Sequence, residues 1–583
     1  MGWPEWHVAE VIGRRPQVRV NQLGYLPGRS KQATLISDAH DPVPFAIRDR
    51  EGVVVYTGSS LPWWERPEPT SGLNVHVLDF TGLTMHGAGF RIESSDQSSH
   101  PFEVTSSVYN RLRADALGFF YVMRSGTPIL DNVAPGYGRP AGHAGRRPNR
   151  GDSAVPAWAG VEARRLYPGW RCNGTFDVSG GWYDAGDYGK YVTSGGIALW
   201  QLLSTLDLLS RRDSSLSILE FADRIRRECR WQLDWLMRMQ VPSGDPLSGL
   251  AFHRVHGTQW SPMPGWAHQD PTERVLHRPS TAATLHLAAV AAKGARLFHA
   301  VDRAYMRMLL HSARTAYQAA RRHPHLIAPD DHARFGGGPY ADDKLEDDFY
   351  WAAVELWLTT NEEFYRKEML SSAMHMADAF DPAGFDFDRV TAVGQLDLAL
   401  AGRHLPDYQE VVETLQLGAD RLLGLQHDQP WGQPYAPTDG WHWGSNGRIL
   451  NNLVVLAVAH LVSGGSPYAD AVATGMDYLL GRNALGQSYI TGHGIDYSCH
   501  QRARQFGHDL NPALPPPPRG ALAGGANSLP HPDFPYDPRL RGLPPQCCYL
   551  DEPTSEVTND ICIRWNAPLV WVATYLSTLN DHG

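Results

Sequence analysis

The periodicity of the apolar residues changes abruptly near Ser107. Before it, runs such as "VRVNQ", "GVVVYTG" and "LNVHVLDF" alternate with period two between Gly, Pro, Asp and Ser clusters, which is typical of a small β-sandwich. After it, at least ten segments carry apolar residues at helical spacing, and we expect no strands between them. The pattern predicts a multidomain α+β chain, with an N-terminal extension over 1–16, a sandwich over 17–105 and an all-α domain over 106–583.

The predicted helical domain contains three loops too long to be plain connections. So many helices in one domain usually pair into a toroid around a central opening, with long loops gathered at one end. Long ordered loops tend to carry function. We therefore expect the functional site among the loops over 132–160, 242–271 and 492–548.

The composition of the 583 residues excludes several classes of partner. The formal net charge is −10 and Lys and Arg are not clustered, which argues against nucleic acid. No window reaches the roughly 18 apolar residues of a membrane span, and no nucleotide, serine-hydrolase or zincin motif is present. The 19 Trp residues either pack in the core or stack on sugar rings.

The cysteines and the N-terminus indicate a reduced compartment. The first residues show no basic stretch followed by an apolar one, so no secretory signal is visible, and we expect a cytoplasmic protein. A secreted protein whose signal has been trimmed would look the same. No C-x-x-C spacing suggests zinc or a disulfide framework among the six cysteines, which are Cys172, Cys229, Cys499, Cys547, Cys548 and Cys562.

The stretch "DVSGGWYDAGDYGKYV" places Asp184 and Asp187 three residues apart, just before a long apolar segment. Repulsion between two close carboxylates separates their pKa values, so at least one stays a base that can deprotonate water. Glycoside hydrolysis needs such a base and, across the cleft, a carboxylic acid. The alternative is that both residues only cap the following helix, but the flanking glycines and aromatic rings favour a site.

At this point the residues resemble a known family. The stretch is similar to the base-bearing signature of glycoside hydrolase family 9, inverting cellulases with an (α/α)6 barrel, and "VRVNQLGYLPG" resembles the first strand of the immunoglobulin-like domain that often precedes that barrel. "STAATLHLAAVAA", "GWHWGSNGRILNNLVVLAVAH" and "RWNAPLVWVA" resemble barrel segments in family order. The resemblance covers nearly the whole chain and implies this two-domain fold.

The resemblance also implies catalytic residues. Asp187 matches the general base, and Asp184 matches the carboxylate that shares the water. In "YLDEPTSEVTNDICIRWNAPL", Asp551 matches a family Asp, and Asp560 stands where the family has a Glu acid. The acid is one methylene shorter and starts from a lower reference pKa, about 3.9 against about 4.3, so it needs more desolvation to stay protonated. Glu552 or Glu556 could serve instead.

A His-x-Arg motif of the family, which binds the sugar beside the cleavage point, is altered. An ungapped comparison through "YSCHQRARQFGHDL" puts Arg502 in the His position and Arg504 in the Arg position. A two-residue shift would use His500 and Arg502 instead. Aromatic residues in or near loops either stack on sugars or pack between helices, and the candidates are Trp441, Trp443, Tyr350, Trp351, Trp260 and Trp266.

No cofactor is expected to be required, although two stretches offer metal ligands. The acidic run "YADDKLEDD" over 340–348 either coordinates structural calcium or is a helix cap with a solvated acidic face. His143 and Cys172 lie where some family members bind zinc, but Gly142 replaces a cysteine of those members. We therefore expect no zinc there.

Together these features predict an inverting glycoside hydrolase that cleaves β-1,4 bonds in cellulose-type glucans or cello-oligosaccharides. Two alternatives remain open. One is an exo-acting glucosaminidase on chitosan oligomers, with Glu552 or Asp348 facing the amine, and the other is a carbohydrate-binding homologue with weakened catalysis. The expected partner is a β-linked oligo- or polysaccharide, and the sequence leaves the oligomeric state open.

Overall fold

The computed structural model describes residues 13–211 and 215–579. Its N-terminal part contains two facing antiparallel sheets, ordered β1-β2-β6-β5 and β4-β3-β7-β8, with β9 paired to β7. The strands are β1 (Val18–Arg19), β2 (Gln32–Ile36), β3 (Pro44–Arg48), β4 (Val54–Ser59), β5 (Leu61–Pro62), β6 (Val75–Asp79), β7 (Gly87–Ser94), β8 (Gln97–Ser98) and β9 (Phe102–Val104).

Period-two alternation places one apolar set between these sheets. Tyr25 meets Phe80 and Phe102 there edge to face, with ring centroids 5.0 and 5.2 Å apart. Ile47 and Ile92 are fully buried beside them. Offset aromatic contacts of this kind add to the burial energy. The predicted β-sandwich is therefore confirmed.

The remainder is dominated by helices. Within the described ranges these are α1 (Asn110–Val122), α2 (Val161–Leu166), α3 (Val192–Ser210), α4 (Leu216–Arg238), α5 (Thr281–Phe298), α6 (Arg303–Arg322), α7 (Glu346–Thr360), α8 (Glu363–Leu370), α9 (Thr391–Ala401), α10 (Tyr408–His427), α11 (Ser445–Ser463), α12 (Ser466–Leu479), α13 (Glu556–Asn559) and α14 (Ile563–Ser577).

Six of these helices form a closed inner ring. Helix α3 packs on α5, α5 on α7, α7 on α9, α9 on α11, α11 on α14, and α14 returns to α3. Outside them lie α1, α4, α6, α8, α10 and α12, each packed against an inner helix. The result is the predicted (α/α)6 barrel.

Burial separates the two rings. All but two of the nineteen residues of α3 are buried, whereas α6 buries one face and exposes Arg and His on the other. A helix that is apolar all round belongs in a core, and an amphipathic one belongs at the surface. By length and hydropathy Val192–Ser210 could cross a membrane, but 94% of it is buried inside the barrel.

The loops differ from expectation because they contain short strands. Backbone groups that the loops bury need hydrogen-bond partners, and these loops satisfy them by pairing with one another. The two-residue to four-residue strands are β10 (Val155–Pro156), β11 (Thr175–Phe176), β12 (Lys190–Tyr191), β13 (Ala251–Phe252), β14 (Arg254–Gly257), β15 (Arg274–Leu276) and β16 (Pro279–Ser280).

A second difference concerns the segment "EMLSSAMHMADAF" (368–380), which is one of those whose apolar spacing predicts a helix. Helix α8 ends at Leu370 and turns follow it. The Ser371 hydroxyl donates to the Glu368 carbonyl, and the Met374 N–H donates to the Ser372 hydroxyl at 3.2 Å. Serine side chains that bond the nearby backbone compete with helix continuation.

The sandwich is held against the end of α12. The Asn21 side-chain amide donates to Asp477 Oδ1 at 2.8 Å, and the Gln22 N–H donates to the Leu480 carbonyl at 2.9 Å. Trp431 Nε1 donates to Glu68 Oε2 at 3.1 Å. Because these partners are buried, the two domains share a polar interface that water does not reach.

A buried ionic triad fixes the strand that leads into α3. Lys190 Nζ lies 2.7 Å from Asp152 Oδ2, and Arg274 Nε lies 2.9 Å from Asp152 Oδ1, with all three side chains almost fully buried. Burial by itself would raise the pKa of Asp152, but the two cations hold it well below its usual value. The Asp152 carboxylate is therefore the shared counter-charge of both buried cations.

We predict that Asp152→Asn lowers the free energy of unfolding by about 3–5 kcal/mol, because it leaves buried Lys190 and Arg274 uncompensated. Chemical denaturation at neutral pH measures this. The matched control is Glu273→Gln, which removes an exposed ion pair with Arg150 and should cost less than about 1 kcal/mol. Equal losses in the two variants would contradict the assignment.

Candidate active site

A cleft at the loop end of the barrel encloses about 200 Å³. Two segments distant in sequence supply its carboxylates, the loop before β12 and α13 with the residue that follows it, and the loop near residue 502 supplies two arginines. Asp184, Asp187, Glu556 and Asp560 all line it. The cleft therefore brings together the two carboxylates predicted to activate water, Asp184 and Asp187, and the predicted acid, Asp560.

Asp184 is 1% exposed and its carboxylate is held from two sides. Ser194 Oγ donates to Oδ1 at 2.5 Å and the Tyr340 hydroxyl donates to Oδ2. Burial raises the pKa of Asp184 to about 6, and the neighbouring Asp187 charge adds to this rise. The side chain is fixed in position and titrates near the working range of an enzyme.

Asp187 is half-buried and more open. Both of its hydrogen bonds fall on Oδ2, from the Gly189 N–H at 2.9 Å and from the Tyr191 hydroxyl at 3.0 Å. This leaves Oδ1 able to accept a proton from water in the cleft. The alternative that the pair only caps the following helix does not hold, because the N-cap of α3 is Tyr191 and no side chain caps it.

Gly186 is the point at which acid and base loops meet. Its N–H donates to Asp560 Oδ1 at 3.2 Å, and its carbonyl accepts from the Arg504 N–H at 3.0 Å. A Cβ at this position would lie 2.8 Å from Asp560 Oδ1 and still closer to the Arg502 carbonyl oxygen. The glycine is required because the acid itself approaches the backbone there.

Asp560 lies in the segment that faces Gly186 across this contact. Residues Ala185 and Cys562 form one β-bridge, and Arg502 and Asp560 form another. Burial, followed by the charge of Glu556, raises the pKa of Asp560 well above its usual value, although the Ile561 N–H opposes this. A carboxyl group that keeps its proton in this way can act as a general acid.

Arg502 and Arg504 both line the cleft, whereas His500 is exposed and pairs with Asp509 at 2.7 Å. Arg502 reaches Glu556 Oε2 at 3.2 Å. Arg504 donates to the Ser261 carbonyl at 2.9 Å and lies 5.5 Å from the Trp260 ring centroid. The structure thus places the residues of the ungapped comparison in the site.

An aromatic wall forms one side of the cleft. The Trp443 ring centroid lies 5.1 Å from that of Phe534 and 5.5 Å from that of His531, and Trp260 lies 6.1 Å from Phe534. His531 and Phe534 come from the proline-rich loop over 492–548, which contributes to the wall and leaves the cleft open. Flat rings at such a wall suit the apolar faces of sugars.

Four predicted sugar platforms do not lie in the cleft wall. Tyr350 and Trp351 lie on inner helix α7, are at most 1% exposed, and contact His375 and His286. Trp441 is 2% exposed and packs edge to face on Tyr435. Trp266 is partly exposed but is not part of the cleft wall. Core packing accounts for the first three, since an aromatic motif alone does not separate core from wall.

Asp551 supports the site from behind. Its carboxylate accepts from the Cys499 and His500 N–H groups, each at 3.0 Å, and from the Asn559 amide at 3.1 Å. It therefore ties the loop of Arg502 to α13 and does not line the cleft. Glu552 pairs with Arg539 at 2.7 Å and also lies outside the cleft lining.

Several residues of the site were missed. Tyr340, which bonds Asp184, sits in the left-handed region with φ of 46°. Arg564 pairs with Asp386 and lies 5.4 Å from the Phe387 ring centroid. Arg564 directly precedes Trp565 of the "RWNAPL" motif, which could have indicated it, but no sequence signal marks Tyr340.

Three carboxylates of the acidic run over 340–348 are buried, whereas Asp343 and Glu346 are exposed, so the expected solvated acidic face is present only in part. Asp342, Asp347 and Asp348 are at most 7% exposed, and neither oxygen of Asp348 has a hydrogen-bond donor. Burial, with the charge of Asp348, raises the pKa of Asp342 to about 8. Among the described residues no Lys or Arg forms an ion pair with these three.

His286 is the nearest candidate counter-charge, with Nε2 3.1 Å from Asp348 Oδ1. Burial lowers the pKa of His286 to about 4, so the imidazole is neutral near neutral pH. Oxygen ligands with an uncompensated negative charge are what calcium prefers. However, the carboxylate oxygens of Asp342, Asp347 and Asp348 do not converge closely enough to coordinate one cation, so this cluster does not form a ready-made calcium site.

The zinc ligands considered from the sequence are otherwise engaged. His143 Nδ1 bonds the Tyr183 hydroxyl at 2.7 Å and Nε2 bonds Asp270 at 3.2 Å. A Cβ at Gly142 would collide with the Tyr183 hydroxyl. All six cysteines are free thiols, and Cys547 and Cys548 are buried as packing residues.

We predict that Gly186→Ala lowers kcat of glycan hydrolysis by more than tenfold, because the added methyl group displaces Asp560 or the Arg502 carbonyl from the base loop. Reducing-end release measures kcat, and thermal unfolding shows that the fold survives. The control is Gly118→Ala in α1, where a Cβ meets nothing within 4 Å. Unchanged kcat in Gly186→Ala would contradict this geometry.

Comparison with known proteins agrees with this arrangement. Endoglucanase C of Cellulomonas fimi is 44% identical over 579 residues, covering 96% of this chain and 52% of that protein. The cellulose 1,4-beta-cellobiosidase of Acetivibrio thermocellus is 36% identical, covering 98% of this chain and 68% of that protein. The chain thus spans about half the length of the first relative and two thirds of the second.

Solved structures and family models are also similar to this chain over both of its domains. A Bacteroides ovatus GH9 structure superposes with a TM-score of 0.81 at 26% identity, covering 96% of this chain and 98% of that one. Residues 14–99 match the cellulase N-terminal ig-like domain. Residues 109–573 match the model of glycosyl hydrolase family 9. The chain belongs to glycosyl hydrolase family 9.

Proposed function

We propose that the chain hydrolyses β-1,4 bonds of cellulose-type glucans or cello-oligosaccharides with inversion at the anomeric carbon. The observation that carries this is one cleft holding an ionisable pair, Asp184 and Asp187, and a separate carboxyl group, Asp560, whose environment keeps it protonated. A glycosidase uses one carboxyl group as an acid and another as a base, and different environments give the two groups different pKa values.

Each carboxylate has one task in this mechanism. Asp187 accepts a proton from a water molecule as the water attacks the anomeric carbon, and Asp184, fixed by Ser194 and Tyr340, orients the water. Asp560 donates its proton to the departing glycosidic oxygen. One proton thus enters the protein at Asp187 and one leaves at Asp560, and exchange with solvent resets both.

The activity should depend on pH in a bell shape. The carboxylates that activate the water must be ionised, so kcat/KM falls as the pH drops through the pKa of Asp184, which burial raises to about 6. The acid must be protonated, so kcat/KM falls again as the pH rises through the elevated pKa of Asp560.

The names of relatives support the substrate class. Those relatives are called an endoglucanase and a cellobiosidase, and one similar structure was solved in complex with cellobiose-like isofagomine, with a TM-score of 0.79 and 25% identity. For an amine-bearing sugar, Asp348 is buried in the acidic cluster and Glu552 is paired outside the cleft lining. No observation favours the chitosan alternative, and the complete carboxylate set argues against a pure binding protein.

We predict that Asp187→Asn reduces kcat on cello-oligosaccharides by roughly 10²–10⁴-fold, because the general base is lost. The matched control is Asp177→Asn at the exposed start of the same motif, which should keep its activity. Proton NMR of the first products of the native enzyme should show the α-anomer. Retention of the β-anomer would refute inversion, and full activity of Asp187→Asn would refute the base.

A further inference from the structure

The acid of this chain has an unusual neighbour. Asp560 follows the four-residue helix α13, and Glu556, four residues earlier, lines the same cleft. An Asp begins from a lower reference pKa than a Glu, about 3.9 against about 4.3, so something must offset the difference if Asp560 is to donate a proton near neutrality. A second carboxylate close by is one way to do that.

The position of Glu556 is set by Arg502. The Arg502 guanidinium reaches Glu556 Oε2 at 3.2 Å with one nitrogen and donates to the Pro553 carbonyl at 3.2 Å with another. The backbone of Arg502 also forms a β-bridge with that of Asp560, and the Arg502 N–H donates to the Asn559 carbonyl of α13 at 2.9 Å. Arg502, Glu556 and Asp560 are therefore joined into one unit.

Charged groups face Asp560 from three segments. Glu556 and Asp187 both favour its protonated form, and Arg502 favours its ionised form. The Ile561 and Gly186 N–H groups bond Oδ1, and the Cys562 thiol lies near enough to feel the Asp560 charge. Glu556 is the largest of the charges acting on it.

The ion pair with Arg502 favours the charged form of Glu556. Burial raises the pKa of Glu556, while Arg502 and then Arg504 oppose that rise. Arg504 is committed to the Ser261 and Gly186 carbonyls, so Arg502 is the direct partner. These contacts favour the ionised form of Glu556.

We infer that Glu556 is a positioning residue for the acid: its carboxylate, tethered by Arg502 to the cleft wall, keeps the proton on Asp560. This inference rests on the proposed function. It explains how the shorter acid can work, and it assigns Arg502 a structural task beside its place in the sugar-binding cleft. Glu556 itself does not transfer the proton.

The test is the pH profile of kcat/KM on a soluble cello-oligosaccharide for the native protein, Glu556→Gln, Glu556→Asp and Glu552→Gln. In Glu556→Gln the basic limb should move to lower pH, so kcat/KM at neutral pH falls several-fold relative to its value at the optimum. Glu556→Asp should restore the limb because it keeps the charge, and Glu552→Gln should leave it in place. Melting temperatures confirm folding.

Two outcomes would overturn the inference. A basic limb that does not move in Glu556→Gln would show that Glu556 does not hold the proton on Asp560. Loss of activity at every pH in Glu556→Gln, with the fold intact, would make Glu556 the proton donor itself.

A measurement without turnover separates this inference from the proposed function. Infrared titration of the protonated carboxyl band, with Asp560→Asn as reference, reports directly on Asp560. The band should disappear at lower pH in Glu556→Gln than in the native protein, and coincident titrations would refute the inference. If the native protein cleaves no β-glucan, the proposed function fails while the infrared result still decides the role of Glu556.

Discussion

The site depends on a set of backbone hydrogen bonds that join segments more than 300 residues apart. The Ile563 N–H donates to the Asp184 carbonyl at 2.8 Å, and the Arg504 N–H donates to the Gly186 carbonyl at 3.0 Å. Because these bonds involve the backbone, the distance between base and acid is set by strand-like pairing and not by flexible side chains. Side chains then adjust only the pKa values and the orientation of water.

The barrel makes this pairing possible. Its inner ring closes between α3 and α14, and both helices begin directly after the segments that carry the carboxylates. Asp184 and Asp187 precede α3, and Asp560 precedes α14. Closing the ring therefore brings the two catalytic loops side by side, while the buried Lys190, Arg274 and Asp152 triad holds the approach to α3.

Sequence reasoning reached the carboxylates and the architecture because both are local signals. Helical periodicity defined Val192–Ser210, and one motif contained Asp184 and Asp187. Sequence reasoning failed where a residue's role depends on whether its side chain faces the barrel core or the cleft. Tyr350 and Trp351 have the composition of a sugar platform but lie on an inner helix, and Tyr340 reaches Asp184 from 156 positions away in an otherwise ordinary loop.

The closure between α3 and α14 has a consequence for biosynthesis. A nascent chain on the ribosome has its base from residue 187 onward, yet it lacks its proton donor until residue 560 has been translated. A chain that ends before Asp560 thus has an open inner ring and lacks the proton donor. Hydrolytic competence appears in a single late step, when the last inner helix docks.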